Sequence, residues 1–114
     1  MHEMSVAQNI LEIVREHVSA EEEYKIKTIR LKIGELAGIV PDSLLFCFDA
    51  VKNGSSLHNA SLDVEYVSIT AQCKHCGKTS PLDYGVFFCP ACSNADITLL
   101  TGNELNIVEI ELDD

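Results

Sequence analysis

The chain has 114 residues, 46 % of them apolar with no tryptophan, and its 18 acidic against 8 basic side chains give a net charge of -10. That length accommodates one modest domain, or a small domain carrying a metal-stapled module. The shortage of Lys and Arg argues against a nucleic-acid partner, and no apolar run approaches the roughly 20 residues of a membrane span.

Residues 5–17 carry an apolar stripe of Ala7, Leu11, Val14 and Val18 with Ile10 beside it, which predicts an amphipathic helix. Ser5 and Gln8 are spaced as a capping box at its start. The acidic run 20–23 is expected to form a solvated turn. Residues 24–36 predict a long strand, because Ile29, Leu31 and Ile33 alternate with Arg30 and Lys32. Tyr24 and Ile26 have the opposite parity, which calls for a bulge near Lys27.

Gly34 and Gly38 flank a Glu35-Leu36-Ala37 link, and Pro41 then suits the first position of a second helix, with Asp42 at its positive dipole end. Leu44, Leu45, Phe48 and Val51 form its apolar face, and Gly54 stops it. Residues 60–71 predict a second strand, with Leu62, Val64 and Tyr66 on one side. Residues 105–112 predict a third, with Val108, Ile110 and Leu112 alternating with Glu109 and Glu111.

Between these two strands stand Cys73, Cys76, Cys89 and Cys92, as two Cys-x-x-Cys pairs twelve residues apart. Each pair lets one tight turn aim two sulfurs at a point, and two such knuckles supply the four thiolates of a tetrahedral zinc site. Gly77 suits a positive φ after the first pair, and Pro90 pre-sets a φ within the second. Disulfides would need an oxidising compartment, and no secretory signal is visible, so the cytoplasm is expected. A thioredoxin-like site uses one such pair, whereas iron in a rubredoxin-like site shares the four-sulfur geometry. Four thiolates leave no open position for substrate, so the ion is structural.

The expected fold is α+β: a small mixed sheet of about three strands with two helices, and an inserted four-cysteine zinc-ribbon module. Residues 1–70 and 101–114 form the α/β domain and 71–100 the ribbon, inserted between two strands placed to lie side by side.

The other chemistry lies at the start of the chain. The amine of Met1 and the amide and imidazole nitrogens of His2 can chelate one ion in adjacent rings, with Glu3 adding an amide nitrogen or a carboxylate. Such donors suit square-planar nickel(II) or copper(II). The scheme requires Met1 to be retained, and the bulky His2 behind it disfavours removal.

Taken together, these features resemble the HypA family (including HybF) of hydrogenase nickel-incorporation proteins. The resemblance is carried by Met1-His2-Glu3-Met4-Ser5, by the segment Leu31 through Ile39, by Pro41-Asp42-Ser43-Leu44, and by the two knuckles. It implies a non-enzymatic nickel metallochaperone for nickel-iron hydrogenase, with His2 as nickel ligand beside backbone nitrogens and Glu3. It also implies zinc on Cys73, Cys76, Cys89 and Cys92. The partners implied are a nickel-handling GTPase of the HypB type and the hydrogenase large subunit. Some members serve urease, and homodimers occur.

Against this stand a zinc-ribbon adaptor or nucleic-acid-binding module with no nickel role, and electron transfer through iron. His75, inside the first knuckle, is read either as an exposed turn residue or as a pH modulator of the zinc site. Cys47 is read as a small buried apolar residue, and His17 and His58 as surface or locally hydrogen-bonded groups. The tail 109–114 is read as a strand's wet face and a frayed end.

Overall fold

A computed structural model describes residues 2–114. The first helix, α1 (Glu3–His17), buries the expected Ala7, Ile10, Leu11 and Val14 together with Val6, while Val18 is its C-cap and only partly buried. It begins earlier than the capping box predicts. His2 is its N-cap and accepts the Val6 N–H at 3.1 Å, so Ser5 and Gln8 lie exposed within the first turns and the box does not form.

The acidic run is solvated at Glu21 and Glu22 but not at Glu23. It winds into a short 3-10 segment (Ala20–Lys25) that leaves Glu23 only 8 % exposed. The Glu23 carboxylate accepts Arg15 Nε–H and Ser56 Oγ–H, both at 3.1 Å, which compensates its burial. Those partners are 8 and 33 residues away in sequence, so local composition could not announce them.

Strand β1 (Ile26–Gly34) buries Ile29, Leu31 and Ile33 as alternation requires. It is shorter than the predicted 24–36, and Tyr24 is exposed outside it. The expected bulge is present: pairing steps from Ile26–Leu112 to Thr28–Glu111, leaving Lys27 as the extra residue. A 3-10 turn (Glu35–Ala37) leads to α2 (Pro41–Lys52), which starts on Pro41 as expected. Its buried stripe is Leu44 and Phe48, with Cys47 and Val51 partly buried against the same core. Leu45 sits one position off that stripe and faces solvent instead.

The predicted second strand breaks in two. Strand β2 (Ser61–Val67) runs parallel to β1, while β3 (Thr70–Cys73) enters a separate sheet with β4 (Thr79–Pro81) and β5 (Ile97–Thr101). Leu62 and Val64 pack on the first core, but Tyr66 is half exposed. The last strand, β6 (Leu105–Leu112), pairs antiparallel with the other side of β1. The strands flanking the insertion are therefore not neighbours, because β1 separates β2 from β6. Alternation in β6 also fails once. Pairing jumps from Arg30–Glu109 to Leu31–Ile107, so Val108 bulges out, 48 % exposed, while Ile107, Ile110 and Leu112 pack inward.

Two apolar clusters result: a large one between the helices and the β2-β1-β6 sheet, and a small one of Ile69, Ala71 and Leu82 under the second sheet. The molecule is elongated, 55 × 25 × 17 Å. The sheets meet where Gly34 N–H bonds Glu104 C=O and Leu36 N–H bonds Gly102 C=O, both at 2.7 Å. A Cβ on Gly34 would lie 2.1 Å from the Gly102 carbonyl oxygen. Gly34→Ala is accordingly expected to destabilise the fold by roughly 3 kcal/mol or more, since the obstructing atoms of Gly102 and Asn103 are all backbone. A lowered midpoint in urea unfolding would register it, and a wild-type midpoint would show that the junction yields freely.

Candidate metal centre

The two knuckles are built on one hydrogen-bond frame. In the first, Gly77 N–H donates to Cys73 C=O and Cys73 N–H to Lys78 C=O, each at 2.9 Å. In the second, Ser93 N–H donates to Cys89 C=O and Cys89 N–H to Asn94 C=O, each at 2.8 Å. The offsets are identical, and Gly77 and Ser93 occupy the same left-handed position, with φ of 77° and 65°. Glycine meets that demand without strain. Ser93, the one non-glycine residue with positive φ among the described residues, does not. Aligning Cys-Lys-His-Cys-Gly-Lys with Cys-Pro-Ala-Cys-Ser-Asn would have exposed this equivalence in the sequence.

Each frame points two sulfurs inward. The four Sγ atoms lie within 4.8 Å of one another, with Cys73–Cys92 at 3.6 Å and Cys76–Cys89 at 3.7 Å. A tetrahedral ion with metal–sulfur bonds near 2.3 Å, such as zinc, requires sulfur–sulfur edges of about 3.8 Å, whereas a disulfide requires about 2.05 Å. The residues fit a four-thiolate metal site. Among the described residues, no other group of three or more His, Cys, Asp or Glu side chains converges in this way.

Backbone donors prepare the sulfurs for a cation. The His75 and Cys76 amides point at Cys73 Sγ from 3.3 and 3.4 Å. The Cys76 amide leads, with help from the His75 amide and the Cys92 and Cys76 thiols, in overcoming burial and lowering the Cys73 thiol from 9.0 to about 6. Cys89 is lowered likewise, chiefly by the Cys92 amide. For Cys92 the Asn94 amide acts downward, but burial and the neighbouring sulfurs of Cys73, Cys89 and Cys76 outweigh it and push the thiol up to about 12. Cys73 and Cys89 are each 2 % exposed, whereas Cys76 and Cys92 reach the surface. The His75 side chain is exposed on the first knuckle.

The N-terminal residues are elsewhere. Met1 lies outside the described residues. His2 is exposed, and its ring belongs to no converging ligand group. Because the first helical bond runs from Val6 N to His2 O, the amides of Glu3, Met4 and Ser5 have no intrahelical acceptor. The Glu3 carboxylate turns away to the start of α2, accepting Val40 N–H at 3.5 Å and Ser43 Oγ–H at 3.4 Å. This leaves His2 exposed beside backbone amides that no helical carbonyl accepts from. The sequence offers either the amide or the carboxylate of Glu3 as a donor, and here the carboxylate makes two long contacts to α2. His17 and His58 are locally bonded as expected, to Ile13 O at 2.8 Å and Ser55 O at 3.0 Å.

An α+β body that carries a four-sulfur knuckle module defines a metal-binding protein of the cysteine-knuckle class. The match with known proteins runs the length of the chain. The chain belongs to the HypA family of hydrogenase/urease nickel-incorporation metallochaperones, whose family model matches residues 1–112. It is 37 % identical over 114 residues to the hydrogenase maturation factor HypA of Nostoc sp., covering 100 % of this chain and 97 % of that one. It is 34 % identical over 113 residues to the HypA of Methylocella silvestris, covering 99 % and 100 %. In fold it is similar to the Ni metallochaperone HypA from Helicobacter pylori, with a TM-score of 0.65 at 23 % identity over 98 % of this chain and 97 % of that one. No described helix is long and apolar enough to cross a membrane.

Two outcomes are expected at the knuckles. A divalent metal taken up by the four sulfurs near pH 7.5 should release fewer than four protons, because Cys73 is already ionised above about 6. Apparent affinity should then fall more steeply as pH drops through about 6, where Cys73 gains a proton that metal must displace. Calorimetry in buffers of different ionisation enthalpy counts these protons. Separately, Ser93→Gly should stabilise the metal-loaded protein by about 1 kcal/mol through relief of the left-handed backbone, measured by thermal unfolding.

Proposed function

We propose that the chain is a non-enzymatic nickel carrier. Nickel(II) binds at the N-terminus through His2, the Met1 amine and the amide nitrogens of His2 and Glu3. From there it passes to the large subunit of a nickel-iron hydrogenase with the help of a GTPase of the HypB type. Urease maturation proteins are a second recipient class for such a carrier. The observation that carries this reading is the start of α1: an exposed imidazole beside backbone amides that no helical carbonyl occupies. Amine, deprotonated amide and imidazole donors favour a square-planar ion, and membership of a nickel-incorporation family selects nickel among such ions.

In the same reading, residues 1–70 with 101–114 form the nickel-handling domain and residues 71–100 a zinc domain. Zinc is held by Cys73, Cys76, Cys89 and Cys92, where it cross-links the two knuckles. With four sulfurs it offers no position for an incoming substrate, so its contribution is folding energy for a module whose own apolar cluster is small. The setting is the cytoplasm, where thiolates stay reduced.

Nickel titration separates this reading from an adaptor with an incidental His2. The native N-terminus should bind one nickel tightly. His2→Ala, and a form with residues added before Met1, should each bind at least about tenfold more weakly, with loss of the square-planar absorption band. Equal stoichiometry and affinity in all three forms would refute N-terminal ligation.

A further inference from the structure

Helix α1 covers β1 but leaves β6 partly bare. Between helix and strand runs a cleft of about 190 Å³ lined by Val6, Ile10, Ile13, Leu105 and Ile107. It continues into a shallower one of about 390 Å³ along Val18, Ile110 and Leu112. Exposed apolar side chains stand along it, Ile13 41 % exposed, Leu105 38 % and Val108 48 %, and Asn9, Asn106, His17 and Glu109 also line it. Strand β6 ends its sheet, so its outer peptide groups have no strand partner among the described residues. An extended chain can replace the water on them with matched donors and acceptors.

The opposite face of the same strand says which chain. Arg30, on β1, is the cation for three carboxylates: Asp63 at 3.4 Å, Glu111 at 4.0 Å and Glu109 in direct contact. Glu109 and Glu111 belong to β6, remain 57 % and 42 % exposed, and are one strand closer to the free edge than their cation. The edge is therefore short of positive charge on one face and short of apolar cover on the other. Side chains of a strand alternate between faces. A segment alternating apolar with Lys or Arg residues answers both deficits at once.

We infer that the free edge of β6 takes up an extended, cationic segment of a partner protein, its apolar side chains entering the α1–β6 cleft and its cations meeting Glu109 and Glu111. A second copy is the wrong occupant, because it brings the same carboxylates and another net charge of -10. The Val108 bulge breaks the flat ladder and so limits which registers an incoming strand can adopt. The inference concerns a docking edge and stands whether or not His2 binds nickel.

The test uses the full-length, zinc-loaded protein and three labelled octapeptides: alternating Lys/Val, Lys/Ser and Glu/Val. Lys/Val should bind at least about tenfold tighter than either control in anisotropy titrations at low salt. Amide shifts should concentrate on β6 and α1. Ile13→Lys, at a half-exposed position, should weaken Lys/Val binding about tenfold with the unfolding temperature unchanged, and Glu109→Gln with Glu111→Gln should remove its salt dependence. Lys/Ser or Glu/Val binding equally well would overturn the inference, as would amide shifts clustered elsewhere. So would a dimer seen by sedimentation that protects the β6 amides.

Discussion

The contact on which the architecture turns is a crossing of two backbones. At Gly34 and Gly102 the α+β body and the knuckle module approach so closely that a single methyl group would collide with a carbonyl. The chain passes between the two bodies twice, before β3 and after β5, and both passages are pinned at this crossing. Leu36 N–H reaches Gly102 C=O, the Glu35 carboxylate accepts Ile69 N–H at 3.3 Å, and Thr101 Oγ1–H bonds Ser68 O at 2.8 Å. Leu36 then packs into the small cluster of the module while Ala37, next along, packs into the large one. The module is thus oriented by backbone hydrogen bonds and shared packing rather than tethered by a linker.

The same segment continues to the other end of the chemistry. Past Gly38, buried Ile39 leads to Val40, whose N–H bonds the Glu3 carboxylate, and Ser43 adds a second bond. Glu3 is the first residue of α1 and reaches the start of α2, so one negative charge lies near the positive ends of two helices. This ties the first residue of α1 to the start of α2. It also offsets the positive potential that two helix starts would otherwise direct at a cation nearby.

Much of this was legible in the sequence where the cause is local. The stripe of α1, the alternation of Ile29, Leu31 and Ile33, Pro41 as a helix start and the bulge at Lys27 all follow from periodicity and backbone sterics. The four cysteines were legible because Cys-x-x-Cys geometry is set within each turn. What escaped depends on residues distant in sequence. Glu23 is buried because Ser56 comes to it, and Val108 bulges to keep β6 in register with β1. Residues 60–71 split because Ile69 joins another core, a choice their apolar pattern does not encode. The expectation that β2 and β6 are neighbours failed because sequence order across an insertion says nothing about which strand lies between them.

The knuckles and the start of α1 differ in how firmly each would hold a metal. At the knuckles, four sulfurs already lie within 4.8 Å of one another, two of them buried and supplied with amide donors. An ion there replaces thiol protons and then leaves no coordination position free, which favours retention. At the start of α1, exposed His2 stands beside amides without helical acceptors, and the Glu3 carboxylate makes two long contacts to α2. Few side-chain donors, an amide that must lose a proton to bind, and open access all favour exchange. A carrier needs an ion it keeps and an ion it gives up. If the proposed function holds, the four sulfurs suit the first task and the nitrogen donors at the start of α1 suit the second.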